Sequence, residues 1–138
     1  MNSNDQQHSQ EQHRERSAEE ATQAVHLTQG EIHAIQKALL FLKFECEETA
    51  SLLYAGSPLL NIALSKMREA DVHGEFSKQF HSNPNRHAES FMRDKLERSY
   101  AEEHVPHERT EAQLNEIWQS CMFPFPTGQF KPESDPQS

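Results

Sequence analysis

Residues 32–54 form the only long, strongly apolar run in an otherwise polar sequence, and this run limits what the chain can fold into. Its key positions recur at alternating spacings of three and four residues, which places them on one stripe of an α-helix. The stripe consists of Ile32, Ile35, Leu39, Leu42, Cys46, Thr49 and Leu53. Leu40, Phe41 and Phe44 lie off the stripe, so we expect this helix to be buried on more than one side. The pattern predicts one long central helix around which the others pack.

Start and stop signals predict the remaining helices. Gly56 suits the left-handed position after a helix, and Ser57 followed by Pro58 is typical of a helix start, so a second helix should fold back antiparallel to the first. A third helix is expected over about residues 85–103, and a T-x-x-Q capping box at Thr110 opens a last one. Few β-branched residues argue against a sheet. The sequence therefore predicts an all-α fold, a small three- or four-helix bundle built on the long central helix.

Composition divides the chain into three regions. Residues 1–16 are polar and charged, and they cannot bury enough apolar surface to offset the entropy of ordering them, so we expect a disordered N-terminal tail. Residues 17–122 should form the helical bundle. Residues 123–138 are a Pro- and Phe-containing tail, in which four prolines exclude a regular helix. These prolines are Pro124, Pro126, Pro132 and Pro136.

Two alternatives stay open for the central helix. A first helix starting at the S-x-x-E box of Ser17 either continues through Gly30 or breaks near residues 28–30, where Thr28 and Glu31 form a second capping box, T-x-x-E. A break is favoured because glycine costs about 1 kcal/mol in a helix relative to alanine.

The spacing of three and four is also typical of a self-associating coiled coil. Ala38 and Ala50 widen the apolar face, which favours an intramolecular bundle without excluding self-association.

Charge and apolar content limit the partners and the compartment. A net charge of −9 disfavours binding to nucleic acid or to an acidic membrane surface. The sequence contains no apolar run long enough to span a membrane and no secretory signal at its start. Cys46 and Cys121 belong to no CxxC motif and are interpreted as buried, reduced thiols. We therefore expect a cytoplasmic or nuclear protein without a membrane span.

The sequence carries no motif for catalysis, cofactor binding or metal binding. The H-E-x-x-H and E-x-x-H patterns, the G-x-S-x-G elbow and the Walker loop are all missing. His104 and His107 are separated by Pro106, which spoils a helical pair of ligands. Cys46 lies on the apolar stripe, where a thiolate is disfavoured. We expect no enzyme activity, no cofactor and no metal site.

The sequence favours a non-catalytic helical protein-interaction module: a subunit, adaptor or small chaperone of a larger complex, acting through apolar helix faces. The candidate partner-binding residues are Phe41, Phe44, Trp118, Phe123, Phe125 and Phe130. The phenylalanines of the tail are either a docking motif for a partner or a lid that covers the bundle. One alternative function is a metal-binding or enzymatic bundle that uses His and Glu from different helices. A further alternative is a nucleic-acid-binding helical regulator.

Overall fold

The computed structural model describes residues 21–105 and 107–132, and the described chain is entirely helical, without strands, as the sequence predicts. The predicted disordered tail, residues 1–16, lies outside the described residues, as does the capping box at Ser17. The α-helices are α1 (Gln29–Phe44), α2 (Leu52–Ala55), α3 (Pro58–Ala70), α4 (Glu75–His81), α5 (Arg86–Ala101) and α6 (Glu111–Met122). A single 3₁₀ turn, Thr49–Ser51, precedes α2.

Side-chain caps start three of these helices at the positions that the sequence predicts. The hydroxyl of Thr28 accepts a hydrogen bond from the backbone N–H of Glu31, and the Glu31 carboxylate accepts one from the backbone N–H of Thr28. Thr110 heads α6 in the same way, and Ser57 caps α3. Each cap satisfies a backbone donor that has no partner inside its helix. Residues 21–28 form no helix, so α1 begins after the break that glycine favours.

One long central helix over residues 32–54 is not confirmed, because α1 ends at Phe44. Three glutamates lie between residues 45 and 48, and acidic side chains are unfavourable at the negative end of a helix dipole. Beyond that end the chain leaves the α-helix, so residues at spacings of three and four no longer lie on one face. Leu53, on the predicted buried stripe, is consequently 75% exposed.

The buried core lies around α5, α6 and the tail, and α1 is not its centre. The main buried cluster contains Ala55, Ala88, Met92, Leu96, Trp118, Cys121, Met122 and Phe125. Of the predicted stripe only Ile32 is buried, while Ile35 is 38% exposed. α1 packs against α2, α3 and α5, and several residues on its remaining face, among them Lys37, Ala38 and Phe41, are exposed.

Glutamine side chains fix α1 antiparallel to α3. Gln29 donates through Nε2 to the carbonyl oxygen of Ala70 and accepts from the backbone N–H of Val72, both at 3.0 Å. Gln36 donates to a carboxylate oxygen of Asp71, also at 3.0 Å. The start of α1 therefore lies beside the end of α3, although the short connection at Gly56 and Ser57 joins α2, not α1, to α3.

Gly56 does not adopt the predicted left-handed conformation, since its φ is −94°. Packing favours glycine there instead. A Cβ atom at this position would lie 3.2 Å from the Sγ of Cys121 and 3.4 Å from the carbonyl oxygen of Leu52. The close approach of α2 and α6 means that a side chain at residue 56 would require the Cys121 thiol to shift by a few tenths of an ångström.

The described part of the tail folds back and packs against the core. Phe125 is 8% exposed and belongs to the main buried cluster. The indole Nε1 of Trp118 donates to the hydroxyl of Thr127 and to the carbonyl oxygen of Gly128, both at 3.2 Å. The ring of Phe130 lies 5.4 Å from that of Trp118. Of the two roles predicted for the tail, this placement favours the lid.

Candidate functional site

An open groove of about 320 Å³ runs along the last turns of α1, between the end of α4, the start of α5 and the tail. Its apolar lining residues are Leu40, Phe41, Phe44, Ala88 and Phe125. Its polar lining residues are Lys37, Glu45, His81, Asn85 and His87. A concave, mostly apolar surface with a few polar groups is the usual composition of a binding site.

The helical spacing of α1 places its groove residues on one face. Lys37 and Phe41 are four residues apart, Phe44 is three residues after Phe41, and Glu45 follows directly after the last residue of α1. Residues three and four apart are neighbours on a helix surface. Phe41 is 49% exposed, so a large apolar ring stands in water at the edge of the groove.

The tail supplies one wall of the groove through Phe125. Its ring meets those of Phe44, Phe80 and His81 edge to face, with centroids 5.3, 5.9 and 5.0 Å away. This geometry places the positive edge of one ring against the negative face of another. Phe125 therefore holds α1 and α4 together at the groove.

His81 contributes an uncharged ring to the groove at neutral pH. Its side chain is nearly buried, and its Nδ1 has no hydrogen-bond partner among the described residues. Burial, reinforced by the positive charge of Arg68, lowers the pKa of His81 below its usual value. The imidazole is therefore neutral at pH 7 and acts as a third aromatic ring beside Phe80 and Phe125.

A fully buried lysine fixes the end of α1, which carries the groove. The Nζ of Lys95 donates to the carbonyl oxygens of Leu42 and Cys46 at 2.9 and 2.8 Å, and to the Ser51 hydroxyl at 2.9 Å. Its side chain is 0% exposed, and burial lowers its pKa. A cation at the C-terminal end of a helix interacts favourably with the helix dipole. Lys95 therefore provides the positive charge that the glutamates after α1 cannot.

A second buried lysine, Lys43, joins α1 to α2 and α6. Its Nζ donates to the carbonyl oxygens of Ala55 and Ser120 at 2.6 and 3.0 Å. Burial lowers the pKa of Lys43 to about 8. Burial also raises the pKa of the Cys121 thiol, which therefore stays protonated at neutral pH. These groups have structural partners and lie beneath the surface, so the groove is the more plausible site for a partner.

The structure brings together three of the six candidate partner-binding residues. Phe41, Phe44 and Phe125 all line the groove. Trp118 lies in the core with Phe130 packed against it, and the Phe123 ring lies 5.9 Å from the guanidinium carbon of Arg68. Whether any of the six binds a partner stays a prediction.

The other groove residues were not identified from the sequence. His81 and Ala88 come from α4 and α5, and their approach to α1 depends on how those helices pack. The spacing of Phe76 and Phe80 was a usable signal, since two aromatic residues four apart mark one face of a helix. Both remain exposed, by 79% and 55% respectively.

A second pocket has a volume of about 400 Å³. It is lined by Gln29, Gly30, His33, Asp71, His73 and Ser77. Within the described ranges, no group of three or more His, Cys, Asp or Glu residues is placed to hold a metal ion. None of the helices in those ranges is long and apolar enough to cross a membrane.

The chain matches no family model, no curated protein and no solved structure, so its function has to be inferred from its own geometry.

Proposed function

We propose that this chain is a non-catalytic protein-interaction module, a subunit, adaptor or small chaperone of a larger complex, which binds its partner through the groove on α1. The observation that carries the proposal is the position of Phe41, which is 49% exposed at the edge of an apolar groove. Removing apolar surface from water is favourable by about 25 cal/mol per Å². A partner side chain that enters the groove would cover this ring.

The exposed apolar surface extends beyond the groove. Phe80 is 55% exposed, and its ring contacts Phe125 in the groove wall. Phe76, one turn earlier on α4, is 79% exposed. Contiguous exposed aromatic surface is uncommon on monomeric proteins and is enriched at protein interfaces.

The parts of this chain that the structure does not describe are unsuited to cover the groove. Residues 1–20 and 133–138 contain no aromatic residue and no Leu, Ile or Val. An anchor for an apolar groove is usually a large apolar side chain. Residues 1–20 and 133–138 therefore offer no such anchor, and we assign it to a partner.

Site-specific photo-crosslinking in the cells that make the protein tests this proposal. A benzophenone amino acid replaces Phe41, and in the control it replaces Ile62 on α3, which is 53% exposed and does not line the groove. We expect protein adducts from position 41 that are missing from position 62. The proposal is wrong if position 41 yields no protein adduct while circular dichroism shows an intact helical fold.

A further inference from the structure

The groove face of α1 carries a charge pattern that is complementary to itself. Lys37 lies on α1, Glu45 follows directly after its last residue, and both are exposed and line the groove. Phe41 lies midway between them, four residues from each. Within the described residues, neither Lys37 nor Glu45 forms an ion pair. The two charges are therefore available to a partner.

We infer that the occupant of this groove is a second copy of the chain, docked α1 against α1 in antiparallel orientation about a two-fold axis at Phe41. The inference rests on the proposed function and names its partner. In a two-fold interface, if residue i contacts residue j of the other copy, then j contacts i. A two-fold axis at Phe41 places Lys37 opposite Glu45 of the second copy, and Glu45 opposite its Lys37. One charge pattern thus supplies both ion pairs.

The two-fold axis also brings the two Phe41 rings together at the centre of the interface. Each ring, 49% exposed in the single chain, would then be covered from water.

The charges select the orientation of the two helices. A parallel pair would place Lys37 beside Lys37 and Glu45 beside Glu45, and like charges in contact are repulsive. Only the antiparallel pair replaces both repulsions by attractions. Each copy has a formal charge of −9, so two copies repel each other at long range. The association is best measured at about 0.15 M salt, where the Debye length is about 8 Å and this repulsion is screened.

Sedimentation velocity across a concentration series tests whether a second copy of the chain occupies the groove. The wild-type chain should shift from monomer to dimer mass. Lys37→Glu alone and Glu45→Lys alone should each raise the dimer Kd at least about tenfold, because each places like charges opposite one another. Lys66→Glu, an exposed charge reversal on α3 away from the groove, should leave the Kd unchanged.

Mixing the two single variants gives the most specific result. The Lys37→Glu chain presents two glutamates and the Glu45→Lys chain presents two lysines, so together they should form a heterodimer although neither forms a homodimer. The chain with both substitutions should dimerise as the wild type does. All substituted side chains are exposed, and circular dichroism verifies that the helices are retained.

The outcomes separate this inference from the function on which it rests. A wild-type chain that stays monomeric throughout the series overturns the second-copy inference. Single variants that dimerise like the wild type, or a mixture without heterodimer, overturn the two-fold axis at Phe41. If the chain is monomeric but position 41 still crosslinks to other proteins, the interaction module stands with a different partner. If position 41 crosslinks to nothing, both proposals fail.

Discussion

The rings of Phe44 and Phe125 meet edge to face with their centroids 5.3 Å apart, which joins the last turn of α1 to the tail. Phe125 is 8% exposed and Phe44 packs against the same buried cluster. The described part of the proline-containing tail, residues 123–132, forms no helix and completes both the core and the wall of the groove.

Truncation before the tail should destabilise the protein. Removing residues 123–138 deletes Phe125 from the core, and the loss of one buried aromatic side chain costs roughly 3–5 kcal/mol. The melting temperature should fall by several degrees per kcal/mol, measured by differential scanning calorimetry. Truncation that removes only residues 133–138 is the matched control and should leave the melting temperature unchanged. Equal melting temperatures for the two shortened chains would show that the tail does not support the fold.

Replacing the buried Lys95 by methionine should destabilise the protein by about 1–3 kcal/mol, because the carbonyl oxygens of Leu42 and Cys46 lose their buried donor. The substitution also removes the cost of burying the ammonium group, so the net loss is smaller than three separate hydrogen bonds. Urea denaturation measures the difference. Lys66→Met, at an exposed position on α3, should change stability by less than about 0.5 kcal/mol. A Lys95→Met chain as stable as the wild type would argue against this role at the end of α1.

Acidification should weaken the fold through His81. Its pKa in the folded protein is lowered, so between that pKa and the unfolded value of about 6.5 the unfolded chain binds more protons. Stability is therefore complete above about pH 6.5 and falls as the pH drops toward the folded-state pKa. Urea denaturation at pH 7 and pH 5 should show this loss in the wild type and a smaller loss in His81→Leu.

Carboxylates affect this comparison little. The pKa of Glu103, for example, is lowered to about 2 by hydrogen bonds from Arg109 and His107, so its stabilising effect is lost mainly below pH 5. His104→Leu, at an exposed position, is the control and should keep the wild-type pH dependence. If His81→Leu loses as much stability between pH 7 and pH 5 as the wild type does, groups other than His81 cause the loss.

Two glycines should respond oppositely to alanine. Gly30 lies in the first turn of α1, and a Cβ atom there would come no closer than 3.8 Å to the Thr28 hydroxyl, so Gly30→Ala should stabilise the protein by up to about 1 kcal/mol. Gly56→Ala should destabilise it, because the new Cβ would lie 3.2 Å from the Sγ of Cys121. Thermal denaturation measures both changes. In a Cys121→Ala background the Gly56→Ala cost should shrink, and a cost independent of residue 121 would contradict the close contact.

Helix starts could be predicted from the sequence, whereas the end of α1 could not. Thr28, Ser57 and Thr110 act on backbone groups within three residues, so each cap is visible in a short window. The end of α1 depends on Lys95, which lies about fifty residues further along the chain. The glutamates of residues 45–48 were a local sign of that end, but the apolar spacing around them suggested a continuous helix.

The groove was only partly predictable for the same reason. Phe41 and Phe44 stood out because they lie off the apolar stripe of α1, and Phe125 because it is an aromatic residue between prolines. His81 and Ala88 join them only through the packing of α4 and α5. No local pattern distinguishes Trp118, which is 1% exposed, from a residue that binds a partner.

The hydrogen bond from Lys43 to the carbonyl oxygen of Ser120 has a consequence for protein synthesis. Half of the main buried cluster, from Trp118 to Phe125, is translated after α1 to α5 have been made. Until those residues leave the ribosome, the Lys43 ammonium lacks its acceptor on α6 and the aromatic residues of α1 lack their cover. The nascent chain therefore cannot complete its core before residues 118–125 have left the ribosome, and until then its first helices present an apolar surface to whichever molecular chaperone meets them.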